Sequence, residues 1–115
     1  MVKGSGKKCH VCKHELLIRL MPDFTSSGMW CSECGVCFAN PKKTFPFIPK
    51  GLIDLIQGWN DFWDLCAVNY SKINVSYHNE LIQNMGIELA RQVSVYCDCW
   101  FDETCSMISS LYDDR

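Results

Sequence analysis

Four cysteines stand in two pairs, Cys9-His-Val-Cys12 and Cys31-Ser-Glu-Cys34, with 18 residues between the pairs. Deprotonated thiols are strong, soft donors, and two Cys-x-x-Cys pairs at this separation can close four sulfurs round one ion. Four thiolates in a tetrahedron form a structural zinc site. Such a site has no open position, so it holds a fold together and does not activate water. The expected ligands are Cys9, Cys12, Cys31 and Cys34, and the expected cofactor is one structural Zn2+.

Other residues compete for the metal. Cys37 follows Cys34 at the same spacing, and a Cys-x-x-Cys-x-x-Cys run also occurs in iron–sulfur proteins. The remote Cys9/Cys12 pair would then make five thiolates for a cluster that takes four, so zinc is the simpler account and Cys37 is read as a buried apolar residue. His10 and His14 flank the first pair and are expected beside the site rather than on the ion. The remaining thiols are Cys66, Cys97, Cys99 and Cys105. A second metal site among them, with His78 as a further ligand, is the less favoured alternative, because Cys97 and Cys99 on one helix would point about 160° apart. Nothing cationic lies near Cys97-Asp-Cys99 to lower a thiol pKa for redox work.

The elements that must position the four thiols follow from the flanking residues. Glu15-Leu-Leu-Ile-Arg-Leu-Met21 reads as a strand, Pro22-Asp23 and Thr25-Ser-Ser-Gly28 as turn signals, and Met29-Trp30 leads back into Cys31. Each cysteine pair then sits in a turn, with a hairpin between them. A segment of about 45 residues cannot bury enough apolar surface to fold alone, so the metal is expected to do that work. Cys9-x-x-Cys12 with Trp30-Cys31-x-x-Cys34-Gly35 resembles the zinc-ribbon class of small metal-binding modules, over residues 9–34 only. The resemblance implies a β-hairpin carrying two zinc knuckles, and a lean toward nucleic acid or its machinery, because ribbons occur in transcription factors, RNA polymerase subunits, ribosomal proteins, enzymes and phage proteins. Fold alone does not set function.

Beyond the hairpin the pattern changes. Pro41-Lys-Lys-Thr-Phe-Pro46-Phe-Ile-Pro49 reads as a connector whose aromatics pack onto the ribbon while its lysines stay solvated. From Leu52, a helix is predicted with Leu52, Leu55, Ile56, Trp59, Phe62, Trp63 and Cys66 inside an arc of about 120° and Asp54, Gln57, Asn60, Asp61 and Asp64 opposite. Asn69–Ser76 reads as a loop, and a second helix is predicted from near Tyr77, capped by Asn74 or Ser76, with Leu81, Ile82, Met85, Leu89, Val93, Tyr96 and Trp100 on one face. It is expected to reach Asp102, with Met107, Ile108 and Leu111 in a short third helix, or to continue to Tyr112. The two main helices should pair antiparallel. The expected architecture is small α+β: a zinc ribbon with a basic leader and connector over 1–47, then an acidic amphipathic helical module over 48–115.

Charge divides at the same place. Residues 1–50 hold eight basic and three acidic side chains, net +5; residues 51–115 hold three and ten, net −7. With 48% hydrophobic residues the chain is globular in composition, and no apolar run reaches the length of a membrane span. The first residues lack the apolar core of a signal peptide, and Gly4-Ser5-Gly6 reads as a flexible leader, so a cytoplasmic location is expected. No Ser-His-Asp set, phosphate loop or open metal site is present, so no enzymatic activity is expected. The expected function is a small adaptor or regulator that docks on a protein partner, transcription-related or a phage or viral modulator of a host complex, with a homodimer as one form of pairing. The surplus of tryptophan nominates Trp59, Phe62, Trp63 and Trp100 as the docking residues. The alternative is a nucleic-acid binder that grips phosphates through Lys7, Lys8, Lys13, Lys42 and Lys43.

Overall fold

A computed structural model describes residues 6–109. The hairpin forms as expected, with β1 over Leu17–Leu20 and β2 over Met29–Cys31 paired antiparallel, Ile18 opposite Cys31 and Leu20 opposite Met29. Alternation is strict on β1: Ile18 and Leu20 point into the core and are wholly buried, while Leu17 and Arg19 face outward and are half-buried. Gly28 enters β2 at φ +82, and a Cβ there would stand 3.3 Å from Ile56. The position therefore takes glycine for its backbone angle and for the close approach of a helix.

Pro41–Thr44 forms one helical turn, α1, with Pro41 at its start. It delivers Phe45 into the core against Phe38, ring centroids 4.7 Å apart. The long helices are α2, Lys50–Val68, and α3, Val75–Val93. Asn74 caps α3, its side-chain oxygen accepting the Tyr77 amide at 3.0 Å.

The second helix is shorter than the sequence pattern predicts. It stops at Val93, and the chain turns through 94–97 into a third strand, β3, Asp98–Phe101. This strand lies parallel to β1 on the edge that β2 leaves free, so the sheet order is β2-β1-β3. The β-branched and aromatic run Val93-Ser-Val-Tyr-Cys-Asp-Cys-Trp-Phe101 favours extended backbone, and pairing with β1 satisfies its amides. Past β3, Thr104–Ser106 makes a single 3-10 turn in place of the expected third helix. Leu111 and Tyr112 lie outside the described residues, as do Gly4 and Ser5 of the expected leader.

One hydrophobic cluster runs through both segments, from Ile18, Leu20 and Met29 to Trp59, Ile82 and Val93. Phe101 reaches α3 at Gly86, where an added Cβ would lie 2.4 Å from the ring. The buried arc of α2 differs from the expected one. Ile53 and Asn60 are inside, whereas Leu55 is 59% exposed.

Asn60 explains the difference. Its side chain is 1% exposed. It accepts from the Asp23 amide and the Ser26 hydroxyl, both at 2.9 Å, and donates to the Asp23 and Ser26 carbonyls, both at 3.1 Å. All the bonds an amide side chain offers here are made, so a polar residue is buried without an orphan. It pins the 21–28 loop to α2 and turns the helix toward the hairpin. Asn60→Ala should lower unfolding stability by about 3 kcal/mol, since it strands buried loop groups. Asn60→Asp, similar in shape but unable to donate to two carbonyls, should lose at least as much in denaturant titration. A neutral aspartate variant would show that packing rather than hydrogen bonding holds the loop.

Candidate metal centre

The two Cys-x-x-Cys turns are built alike. In the first, the Cys9 amide donates to the His14 carbonyl and the Lys13 amide to the Cys9 carbonyl, each at 2.9 Å. In the second, the Cys31 amide donates to Val36 and the Gly35 amide to Cys31, again at 2.9 Å. The residue after the second cysteine has positive φ in both, Lys13 at 64 and Gly35 at 80. The second turn uses glycine there; the first holds a lysine in the left-handed region, an uncommon conformation for a side-chain-bearing residue. Lys13 donates its ammonium to the His10 carbonyl at 2.8 Å, which ties the turn locally.

These turns bring four sulfurs together. The thiols of Cys9, Cys12, Cys31 and Cys34 all lie within 4.8 Å of one another. Cys9 Sγ is 3.9 Å from Cys34 Sγ, and Cys12 Sγ is 3.8 Å from Cys31 Sγ. A tetrahedron with metal–sulfur bonds of about 2.3 Å has an edge of about 3.8 Å, so the donor set fits one tetrahedral ion. Backbone amides point at the sulfurs: Val11 N–H at Cys9 Sγ, 3.4 Å, and Cys34 N–H at Cys31 Sγ, 3.5 Å. Such donors favour thiolate over thiol.

The electrostatics call for a cation. Burial resists ionisation of Cys9, but the Cys12 and Val11 amides and the adjoining thiols outweigh it and bring the pKa down to about 7. Cys31 goes the other way: burial pushes it up to about 12 despite the amides of Cys34 and Glu33. Cys12 accepts from the His14 backbone, yet desolvation and the Cys9 and Cys34 sulfurs leave it raised. Cys9 ionises readily and Cys12 and Cys31 resist following, the behaviour of like charges crowded together. A divalent cation among them would remove that penalty.

His10 and His14 are exposed, and the ligand cluster found among the described residues contains cysteines alone. Cys37 is half-buried, 3.8 Å from the Ser27 hydroxyl, and pairs with Trp30 as an isolated bridge. Cys97 and Cys99 lie at the start of β3, not on a helix, so the helical argument for separating them does not apply. Burial and the Asp98 charge push the Cys97 thiol up to about 12, and burial raises Cys99 as well. Both are therefore protonated and unreactive at neutral pH.

The proposed docking residues fall in different places. Trp59 is 1% exposed, its indole N–H donating to the Ile82 carbonyl at 3.1 Å, and Trp63 is buried against Phe24. Both belong to the core, which corrects their reading as contact residues. Phe62 is half-buried, and Trp100 is exposed on β3 with its indole N–H on the Ser32 hydroxyl at 2.9 Å, beside the second cysteine turn. Of the lysines nominated for phosphate, Lys42 is paired with Asp54 at 2.6 Å and Lys7 lies 4.6 Å over the Phe47 ring. Lys8 pairs with Glu15 through a backbone bridge, and Lys43 is exposed on α1.

No known protein family, curated protein or solved structure matches the chain. Functional weight therefore rests on the geometry. Sequence spacing finds the four cysteines. It misses the paired amide cradles, whose one visible signal is the glycine after Cys34, and it misses Ser32–Trp100, which only the third strand brings about.

Stripping metal from the loaded protein with a chelator should abolish hydrogen-exchange protection of the Lys13 and Gly35 amides. The far-ultraviolet helical signal should persist, because most of the apolar side chains buried with α2 and α3 lie outside the cysteine turns. Global loss of helix would show that the ion holds the whole chain. A second outcome concerns alkali. The folded-state pKa of Cys97 is raised from 9.0 to about 12, so its contribution is full below pH 9 and is lost as pH climbs toward 12. Cys97→Ala should flatten that alkaline decline in a pH series of thermal melts; an unchanged slope would assign the decline to other groups.

Proposed function

We propose that this chain is a small, non-enzymatic zinc-binding adaptor in which a closed four-thiolate site stabilises the N-terminal hairpin and the helical pair offers a surface to a protein partner. The convergence of Cys9, Cys12, Cys31 and Cys34 within 4.8 Å carries the metal reading. Zinc suits four thiolates in a tetrahedron and takes no part in redox chemistry, which fits a scaffold. A site with every position filled by protein leaves none for substrate, which supports a binding role over catalysis.

The docking half of the reading draws on exposed apolar residues. Leu55, Leu65 and Val68 on α2 are 59%, 62% and 63% exposed, and Met85 and Tyr77 on α3 are exposed too. A groove of about 360 Å3 between the helices is lined by Leu55, Asn84, Met85, Glu88, Leu89 and Gln92. Solvent-exposed side chains of this size, gathered on two adjacent helices, suit a protein contact. The nucleic-acid alternative is weakened because Lys7, Lys13 and Lys42 each have a local contact.

Native mass spectrometry of the purified chain should show one zinc per chain. The zinc-loaded chain, used as bait, should retain a protein from its host that Leu55→Asp and Leu65→Asp release, with helical content unchanged. Retention of nucleic acid instead, with affinity falling steeply as salt rises, would favour the alternative.

A further inference from the structure

Two kinds of thiol alternate in the cysteine cluster. Cys34 is exposed and Cys12 half-buried, whereas Cys9 is 1% exposed and Cys31 is completely covered. Two sulfur pairs each join one of the first kind to one of the second, and each crosses between the two turns: Cys34 with Cys9 at 3.9 Å, Cys12 with Cys31 at 3.8 Å. A disulfide needs about 2.05 Å. Each pair must close by less than 2 Å, a distance within the swing of a side chain about Cα–Cβ.

We propose that the cluster is a peroxide-responsive switch that exchanges its ion for two disulfides running between the turns, Cys9–Cys34 and Cys12–Cys31. The proposal rests on the zinc reading above for what is lost, and on the sulfur geometry alone for what is formed. Hydrogen peroxide meets the cluster at Cys34, the exposed residue of the four. The thiolate takes one oxygen, the O–O bond breaks, and hydroxide leaves, giving a sulfenic acid on Cys34. The Cys9 thiolate, 3.9 Å away and favoured by the Val11 amide, attacks that sulfur; an S–S bond forms, the S–O bond breaks, and a second hydroxide departs. Each cycle oxidises two thiolates and reduces one peroxide. A second peroxide joins Cys12 and Cys31, 3.8 Å apart, the two thiols giving up two protons and two electrons as the peroxide leaves as two waters. After the first cycle only two donors remain, too few for a tetrahedral site.

The pairing decides what happens to the fold. Disulfides within each turn, Cys9–Cys12 and Cys31–Cys34, would leave the turns unlinked once the ion has gone. Disulfides between the turns tie residues 9–14 to 31–36, as the ion does. The β1–β2 ladder and its buried Ile18, Leu20 and Met29 then need not move. Oxidation on this geometry discharges the metal and keeps the hairpin.

Trypsin sites make the test direct. Cleavage after Lys8 and Lys13 frees residues 9–13 with Cys9 and Cys12, and cleavage after Arg19 and Lys42 frees 20–42 with Cys31, Cys34 and Cys37. Zinc-loaded chain is titrated with hydrogen peroxide, released zinc is read with a chromogenic chelator, and the blocked, unreduced digest is mapped by tandem mass spectrometry. The expected result is full release at two peroxides per zinc and peptide 9–13 joined to 20–42. Fragments should assign Cys9 to Cys34 and Cys12 to Cys31, and dithiothreitol with zinc should restore the starting state. Separate peptides, each with an internal disulfide, would overturn the proposal, as would complete retention of zinc with Cys34 unmodified. The same mapping on reduced, metal-free chain keeps the two readings apart. Failure to load zinc would remove the adaptor's metal, while the pairing would still be decided.

Discussion

Strand β1 is hydrogen-bonded along both edges, and the rest of the molecule depends on that double pairing. Ile18 lies opposite Cys31 on one side and Cys99 on the other; Arg19 lies opposite Trp30 and Trp100. The antiparallel partner ends in one of the four clustered cysteines, so the β1–β2 register sets where half of the cluster stands. The parallel partner arrives from the end of α3. A parallel pair cannot be closed by a tight turn and needs a long crossover, which here runs through the whole helical hairpin. The helices are thus held to the sheet by a strand at their far end as well as by packing.

Around that strand the two segments are sealed by different chemistry on each side. Apolar burial does most of it, with Ile18, Leu20, Met29, Ile56 and Trp59 in one cluster. Asn60 adds direction: four hydrogen bonds from one side chain fix the 21–28 loop on α2 at a single rotation. Lys42 and Asp54 pair where the basic and acidic halves meet. That pair is exposed and contributes little to stability, so the charge division describes surfaces more than cohesion. The exposed apolar residues of α2 and α3 are what remains after the helix has been turned to bury Asn60 and Ile53.

The cysteine turns illustrate how backbone geometry prepares chemistry. Two stretches of unrelated sequence, residues 9–14 and 31–36, close the same pair of hydrogen bonds and place a left-handed residue, Lys13 or Gly35, at the same position. Amides are left pointing at sulfur, and four sulfurs converge at a spacing that suits one ion. The exposure of Cys34, beside a half-buried Cys12, gives the same arrangement a route to oxidation.

Local pattern by itself determined several features: the four-cysteine set, the hairpin between its halves, a cap at Asn74 or Ser76 and the presence of two long helices. Each is written in spacing or propensity over a few residues, and no distant contact is needed to read it. The tertiary structure decided the rest. Whether 98–101 is helix or strand turns on an open edge of β1 about 80 residues earlier in the chain. Which face of α2 is buried turns on loop groups of Asp23 and Ser26 that the Asn60 side chain meets with four hydrogen bonds. Whether Trp59 and Trp63 meet a partner or the core turns on what the fold lays over them, Phe101 of β3 on the first and Phe24 of the 21–28 loop on the second. Propensity and periodicity describe what a segment can do alone; burial and hydrogen-bond satisfaction are settled by what the fold places against it.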